Sequence, residues 1–339
     1  MLMLTGQHPD LDPNDFMLGG FDTVQLGCPG EADPHMHARN VTRRLLSALR
    51  PAPDLIVVQG DTSSSLGGAL AGFTAGISVA HVEAGLRTHD PLLPWPEEEY
   101  RTAIDAGADL LFAPTQLAAA NLRAERAPGE LHVTGNTGID ALMAVESQLP
   151  PPLAINDGLP RVLVTCHRRE SWGDGMASIA TALAELARTS AGRIEMILHP
   201  NVHVAQRMRQ LLDGIDGIDL VGPCSHAELI RRVRDADLVL SDSGGIQEEA
   251  PALGTPLLVL REKTERPEAI ASGNAKLVGT STDRILFETR RLLGNPLERA
   301  KMSMRTYPFG DGRAAPRIAA IIGDWLEARG IFSGCAQQR

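Results

Sequence analysis

The sequence predicts an α/β protein made of two parallel-sheet domains with a cleft between them. Three observations carry this. Short apolar runs alternate with longer, helix-like mixed segments along the 339 residues. Most of the runs are continuous rather than alternating, as parallel strands covered on both faces require. One proline-rich break, "SQLPPPLAINDGLP" from Ser147 to Pro160, interrupts the pattern near the middle of the chain. Strand, helix, strand, repeated, builds parallel sheets through right-handed crossovers.

Taken in order, the first half offers strands at "DLIVVQ" (Asp54–Gln59), "ISVAHV", "DLLFAP" and "LHVTG". After the break come "RVLVTC", "IEMILH", "IDLVG", "ADLVLS", "PLLVL" and "AKLVG". Between them lie helical stretches such as "HARNVTRRLLSALR" and "GMASIATALAELARTS". The break places the boundary between two α/β domains near residue 150, so that the first covers 1–150. Open α/β sheets bind ligands at the carboxyl ends of their strands, so residues just past those ends are the candidates for function.

Composition narrows the partners. A hydrophobic content of 43% and a charged content of 22% are those of a soluble globular chain. The net charge of −10 argues against a nucleic-acid surface, although a local Arg/His pocket can still hold an anionic small molecule. Cys28, Cys166, Cys224 and Cys335 are scattered without a C-x-x-C pair and read as reduced thiols. The start, "MLMLTGQHPDLDP", has no basic segment leading into a long apolar one, and no run reaches membrane-spanning length. A cytoplasmic location is expected.

The sharpest motif is "LVLSDSGGIQEEAPALG". A strand ends at Ser241-Asp242, and Ser243-Gly244-Gly245 opens a helix. Paired glycines let backbone amides approach a ligand, and a helix N-terminus favours negative charge, so a phosphate or diphosphate fits there. Glu248 or Glu249, a turn later, can accept hydrogen bonds from sugar hydroxyls. The plainer alternative is a strand-to-helix turn with packing glycines. Neither a G-x-G-x-x-G run nor a Walker loop occurs, so no dinucleotide or ATP cofactor is indicated.

Past another strand, "VTCHRRESWGDG" places His167, Arg168 and Arg169 where a cleft would lie. Arginines hold phosphate oxygens bidentately and a histidine can protonate a leaving oxygen; a solvated turn is the alternative. Cys166 beside them reads as a small buried residue. Asp61 in "VVQGDTSSS" follows a strand end and taken alone reads as a helix cap. Glu83 in "HVEAGLRT" and Glu97 in "PWPEEE" follow on the same side of the same sheet. Arg266 in "TERPEA" lies past "PLLVL", with a surface salt bridge as its alternative. The "DAD" at Asp235–Asp237 precedes a buried strand and reads as surface, with no metal site implied.

In this order the pieces resemble the non-hydrolysing UDP-N-acetylglucosamine 2-epimerases. The shared stretches are "TGQH", "VVQGDTSSS", "HVEAGLRT", "PWPEE", "VTGNTGIDAL", "HRRES", "SDSGGIQEEAP", "TERPEA" and "YPFGDGRA", spread over nearly the whole chain. The resemblance implies a GT-B-like pair of Rossmann-like domains, 1–150 carrying carboxylates and 151–310 binding UDP, with a helix in 311–339 returning towards the first. It implies interconversion of UDP-N-acetylglucosamine and UDP-N-acetylmannosamine by loss of UDP to a 2-acetamidoglucal and re-addition, without metal or nicotinamide. Asp61, Glu83 and Glu97 match the family's catalytic carboxylates, and His167 its active-site histidine. Ser243, Gly244, Gly245, Glu249 and Arg266 match its UDP contacts. Gln7, Arg168 and His199 resemble parts of a site for a second substrate molecule acting as activator, and a homodimer is implied. The family's opening strand with its "GTRPE"-type turn has no counterpart here, so the first domain is expected to lack its first strand. Tyr100 stands where the family usually has Asn. A hydrolysing relative releasing N-acetylmannosamine, a UDP-sugar-binding relative without turnover and a glycosyltransferase on the same scaffold are the competing readings.

Overall fold

The computed structural model describes residues 1–7, 20–151, 158–166, 173–189 and 192–331. They form two compact units, Met1–Thr134 with Ala315–Arg339, and Gly135–Ala314. The chain therefore passes between units at Thr134–Gly135, ahead of the proline run. The helix Thr137–Glu146, expected in the first domain, packs in the second, with Ile139 and Leu142 in that unit's core.

The second unit holds six parallel strands, β7 (Arg161–Thr165), β8 (Arg193–Ile197), β9 (Ile218–Val221), β10 (Leu238–Ser241), β11 (Leu257–Val259) and β12 (Ala275–Leu277). Their spatial order is β12-β11-β10-β7-β8-β9. This is the doubly wound arrangement, and its order reverses between β7 and β10, where such sheets bind ligands. The strands are nearly all aliphatic because both faces are covered: Val162, Val164, Leu238 and Leu240 enter one core, Leu163, Val239 and Leu257 the other. Each fully buried aliphatic side chain contributes roughly 1.5–3 kcal/mol relative to exposure.

In the first unit β3 (Leu55–Gln59), β4 (Ser78–Val82), β5 (Leu110–Ala113) and β6 (Glu130–Val133) form a four-stranded parallel sheet in that order. The C-terminal helix Ala314–Ala328 covers one face of it, burying Ile318 and Trp325 beside Ala80, Leu110 and Phe112. The expected deficit takes a definite form. The chain opens with two three-residue strands, β1 (Leu2–Leu4) and β2 (Thr23–Gln25), which among the described residues pair only with each other. A groove of about 390 Å³ is lined by Leu2 and Met3 of β1 and by Leu55–Gln59 of β3, with Val41 and Leu45 of the helix Pro34–Ala48 also contributing. Among the described residues β1 and β3 are thus each paired on one side only. The two pieces stay joined through a shared core of Leu26, Val41, Leu45 and Ile56. Thr5 Oγ1 also lies 2.8 Å from Ser64 Oγ. Among the described residues no helix is long and apolar enough to cross a membrane.

Candidate active site

In the first unit the candidate acids sit at the carboxyl ends of neighbouring strands. Asp61 follows β3 by two residues, and Glu83 is the first residue after β4. Asp61 is not the cap of the next helix: Thr62 caps Ser63–Ala75, its hydroxyl accepting from the Ser65 amide. Glu83 has φ +72°, in the left-handed region that costs a non-glycine residue about 1–3 kcal/mol and concentrates at functional sites. Gly60, which precedes Asp61, has φ +67°, a left-handed conformation that favours glycine, and a methyl group there would stand 3.3 Å from Glu83 Oε2.

Glu97 opens the helix Glu97–Asp105 after the loop containing cis Leu93–Pro94 and Trp95–Pro96. That loop is pinned by aromatic edges: the His35 ring lies 5.7 Å from Trp95 and 5.4 Å from Tyr100. Burial first, then the neighbouring Glu99, Asp33 and Glu97 charges, push the Tyr100 phenol up to about 12. Tyr100 therefore stays protonated, and its hydroxyl lies 3.3 Å from His35 Nδ1.

Two residues without an assigned role organise this cluster. Arg101, buried, donates to Asp61 Oδ2 at 2.5 Å and to Glu98 Oε2 at 3.2 Å. Glu98, also buried, accepts from the Thr88 and His89 amides at 2.9 Å each. Their spacing on one helix, three apart, was a visible signal for a pair but not for its target. Gln7 lies nearby, its Oε1 accepting from Ser64 Oγ at 2.6 Å.

In the second unit Ser243 is the N-cap of the helix Gly244–Leu253, yet its hydroxyl makes no capping bond. First-turn amides of a helix lack intrahelical partners and favour an anion. The loop is tied to the sheet switch point, where Ser241 Oγ accepts from the Ser243 amide at 3.0 Å and lies 2.6 Å from Thr165 Oγ1. Beneath it lies Arg266, whose Nε donates to Glu248 Oε1 at 2.5 Å and whose Nη1 pairs with Glu265. This is a buried network rather than a surface salt bridge. A methyl group on Gly244 would come within 2.8 Å of the Arg266 guanidinium carbon, which explains the glycine by close approach. Burial pushes the Glu248 carboxyl up, with the Arg266 charge opposing.

The two acids of "QEE" thus separate: Glu248 faces Arg266, whereas Glu249 meets His226 Nε2 at 2.8 Å. The hydrogen bond to Glu249 raises the His226 imidazole above its ordinary value, with burial opposing. His226 was not a sequence candidate because it begins a helix of its own, His226–Asp235, 23 residues upstream. His199 follows β8 and accepts from the Asn201 amide at 2.8 Å. His167, Arg168 and Arg169 lie outside the described residues. Cys166 is buried, as read. Asp235 departs from its surface reading: it is buried and takes hydrogen bonds from Arg231 and Arg234.

A doubly wound parallel sheet in one unit, and a parallel sheet with acids past its strand ends in the other, define an α/β protein of Rossmann type. Comparison gives the family. The sequence pattern described as UDP-N-acetylglucosamine 2-epimerase matches residues 1–323. The UDP-N-acetylglucosamine 2-epimerase of Salmonella typhimurium is 42% identical over 337 residues, covering 94% of this chain and 89% of its own. That of Escherichia coli K12 is 41% identical, with coverage of 94% and 89%. Among solved structures, the Neisseria meningitidis UDP-GlcNAc 2-epimerase bound to UDP-GlcNAc superposes with a TM-score of 0.88 at 34% identity, over 94% of this chain and 90% of that one. The Methanocaldococcus jannaschii UDP-GlcNAc 2-epimerase in complex with UDP-GlcNAc and UDP gives 0.80 at 29% identity, over 92% and 87%. The chain belongs to the UDP-N-acetylglucosamine 2-epimerase family.

Proposed function

We propose that this chain interconverts UDP-N-acetylglucosamine and UDP-N-acetylmannosamine without net hydrolysis. The observation that supports the reading is that Asp61 and Glu83 each follow the end of one of two adjacent parallel strands, with Arg101 holding Asp61. The C2 proton of the sugar is not beside a carbonyl, so a carboxylate cannot simply remove it. Departure of UDP from C1 leaves an oxocarbenium-like centre, and that proton becomes acidic. One carboxylate then takes it to give the 2-acetamidoglucal; protonation on the opposite face and return of UDP to C1 complete the epimer. Such a route needs a base, an acid and stabilisation of the departing diphosphate.

Asp61, Glu83 and Glu97 are the candidates for the proton transfers, and the acid and base roles are left open among them. Ser243, Gly244 and Gly245 present the helix start to the diphosphate, and Glu249 is placed to accept from the nucleotide's hydroxyls. Arg266 acts here by supporting that helix start. His167 is the proposed donor to the departing diphosphate. A second substrate molecule at Gln7, Arg168 and His199, and a homodimer in the cytoplasm, complete the proposal on the strength of the resemblance.

Proton NMR of the protein with UDP-N-acetylglucosamine in D₂O tests it. The expected result is the UDP-linked manno epimer carrying deuterium at C2. Free N-acetylmannosamine accumulating as fast as UDP would establish the hydrolysing alternative. Bound UDP with no exchange would leave a binding protein.

A further inference from the structure

We infer that His81 and Asp105 are positioning residues that set Asp61, Glu83 and Glu97 in register. The inference rests on the carboxylate roles proposed above. His81 is in β4, and Asp105 ends the helix that Glu97 begins; both are fully buried. Their link is His81 Nδ1 to Asp105 Oδ1 at 2.6 Å. From this pair, hydrogen bonds reach every segment that carries an acid. His81 Nε2 donates to the Gly60 carbonyl at 2.9 Å, one residue before Asp61. Asp105 Oδ2 accepts from the Gly85 amide at 3.1 Å, two residues after Glu83. Asp105 itself anchors the far end of the Glu97 helix. One buried pair therefore joins the β3 loop, the β4 loop and that helix.

The chemistry of the pair suits alignment better than stability. Both ring nitrogens face oxygen acceptors, one a carboxylate and the other a backbone carbonyl. Arg87 and Glu125 complete the network: Arg87 Nη2 lies 2.8 Å from Asp105 Oδ2, and Arg87 also forks onto Glu125 at 2.8 and 2.7 Å. Replacing such a buried group by well-packed apolar residues is often neutral or stabilising, so cohesion alone does not call for it. Hydrogen bonds are directional where apolar contacts are not, and Glu83 holds a strained backbone that its surroundings must over-determine.

The test is Asp105→Asn, which keeps the shape but places an amide donor against the Gly85 N–H or His81. A shift on the order of 1 Å at a reacting group costs about 10²-fold in rate, so kcat should fall by that order. KM and the UDP dissociation constant should stay close to the parent's, because the proposed UDP contacts lie in the other unit. Leu45→Ala, a core truncation on the helix Pro34–Ala48, is the control for destabilisation as such and should keep the parental kcat per folded molecule. Should Asp105→Asn fail to fold, Glu125→Gln loosens Arg87 from its exposed side and is expected to lower kcat several-fold at unchanged KM. The carboxyl ¹³C resonances of Asp61 and Glu83, assigned with Asp61→Asn and Glu83→Gln, give a readout independent of turnover. They should move in Asp105→Asn. A parent chain that does not epimerise would remove the proposed function while those resonances still report the alignment. Parental kcat with unmoved resonances in a folded Asp105→Asn, or in Glu125→Gln if that is the variant used, overturns the inference.

Discussion

Arg101 Nη2 lies 2.5 Å from Asp61 Oδ2, joining a helix to the end of a strand 40 residues away. The same guanidinium meets Glu98, which gathers the amides of Thr88 and His89. One buried cation therefore holds the loop after β3 against the loop after β4, and the acids of both loops with them.

Removing that cation should be costly twice over. Arg101→Met leaves Glu98 buried without its partner, and breaking a buried pair costs roughly 3–5 kcal/mol. Urea denaturation should show a loss of that order, with epimerisation reduced beyond what the unfolded fraction explains. A fully active, equally stable Arg101→Met protein would contradict the role assigned to Arg101.

Gly244→Ala isolates the close approach at the helix start. Gly244 has ordinary negative φ, so only the contact with Arg266, itself pinned by Glu248 and Glu265, opposes the added methyl group. Displacing the loop should weaken UDP binding about tenfold, equivalent to about 1.4 kcal/mol, by titration calorimetry. Circular dichroism should show the fold retained.

The His226–Glu249 pair predicts a pH dependence. Because folding raises the His226 imidazole, its stabilisation is full below the unfolded value of about 6.5 and is lost as pH rises through the folded value. His226 is nearly half exposed, so the effect stays under about 1 kcal/mol. The Tm deficit of His226→Gln should shrink from about pH 6 to about pH 9. A deficit constant across that range would show that the pair does not titrate as described.

The divided sheet predicts uneven protection. Amides of Leu55–Val58 that point away from β4, and those of Leu2–Leu4 that point away from β2, have no ladder partner among the described residues. Hydrogen exchange should release them early, while Ala80, His81 and Leu111 in the middle of the four-stranded sheet exchange only with global opening. Uniform protection across β3 and β4 would mean that the β3 edge is covered in solution.

Ten of the twelve strands among the described residues were legible in the sequence, because an aliphatic run flanked by turn residues is a local signal. The two that were not are Leu2–Leu4 and Thr23–Gln25, of three residues each; β11 and β12 are as short but lie within the longer apolar runs "PLLVL" and "AKLVG". The domain boundary was misplaced for a related reason. Three prolines make a good linker, but Ile139 and Leu142 decide which core their helix joins, and that depends on what lies opposite them.

By itself the sequence determined which segments are strands, that they run parallel, which motifs end them, and through those motifs the family. Only the tertiary structure decided how the charges pair. His81 meets Asp105 across 24 residues, Arg101 meets Asp61 across 40, and Arg266 meets Glu248 across 18. It likewise turned Asp61 from a helix cap into the partner of a buried arginine, and Asp235 from a surface acid into a buried one. The physical reason is range. Propensity and periodicity act within a few residues, whereas the partner of a buried charge is chosen by sheet register and helix docking, which bring distant segments within hydrogen-bond reach.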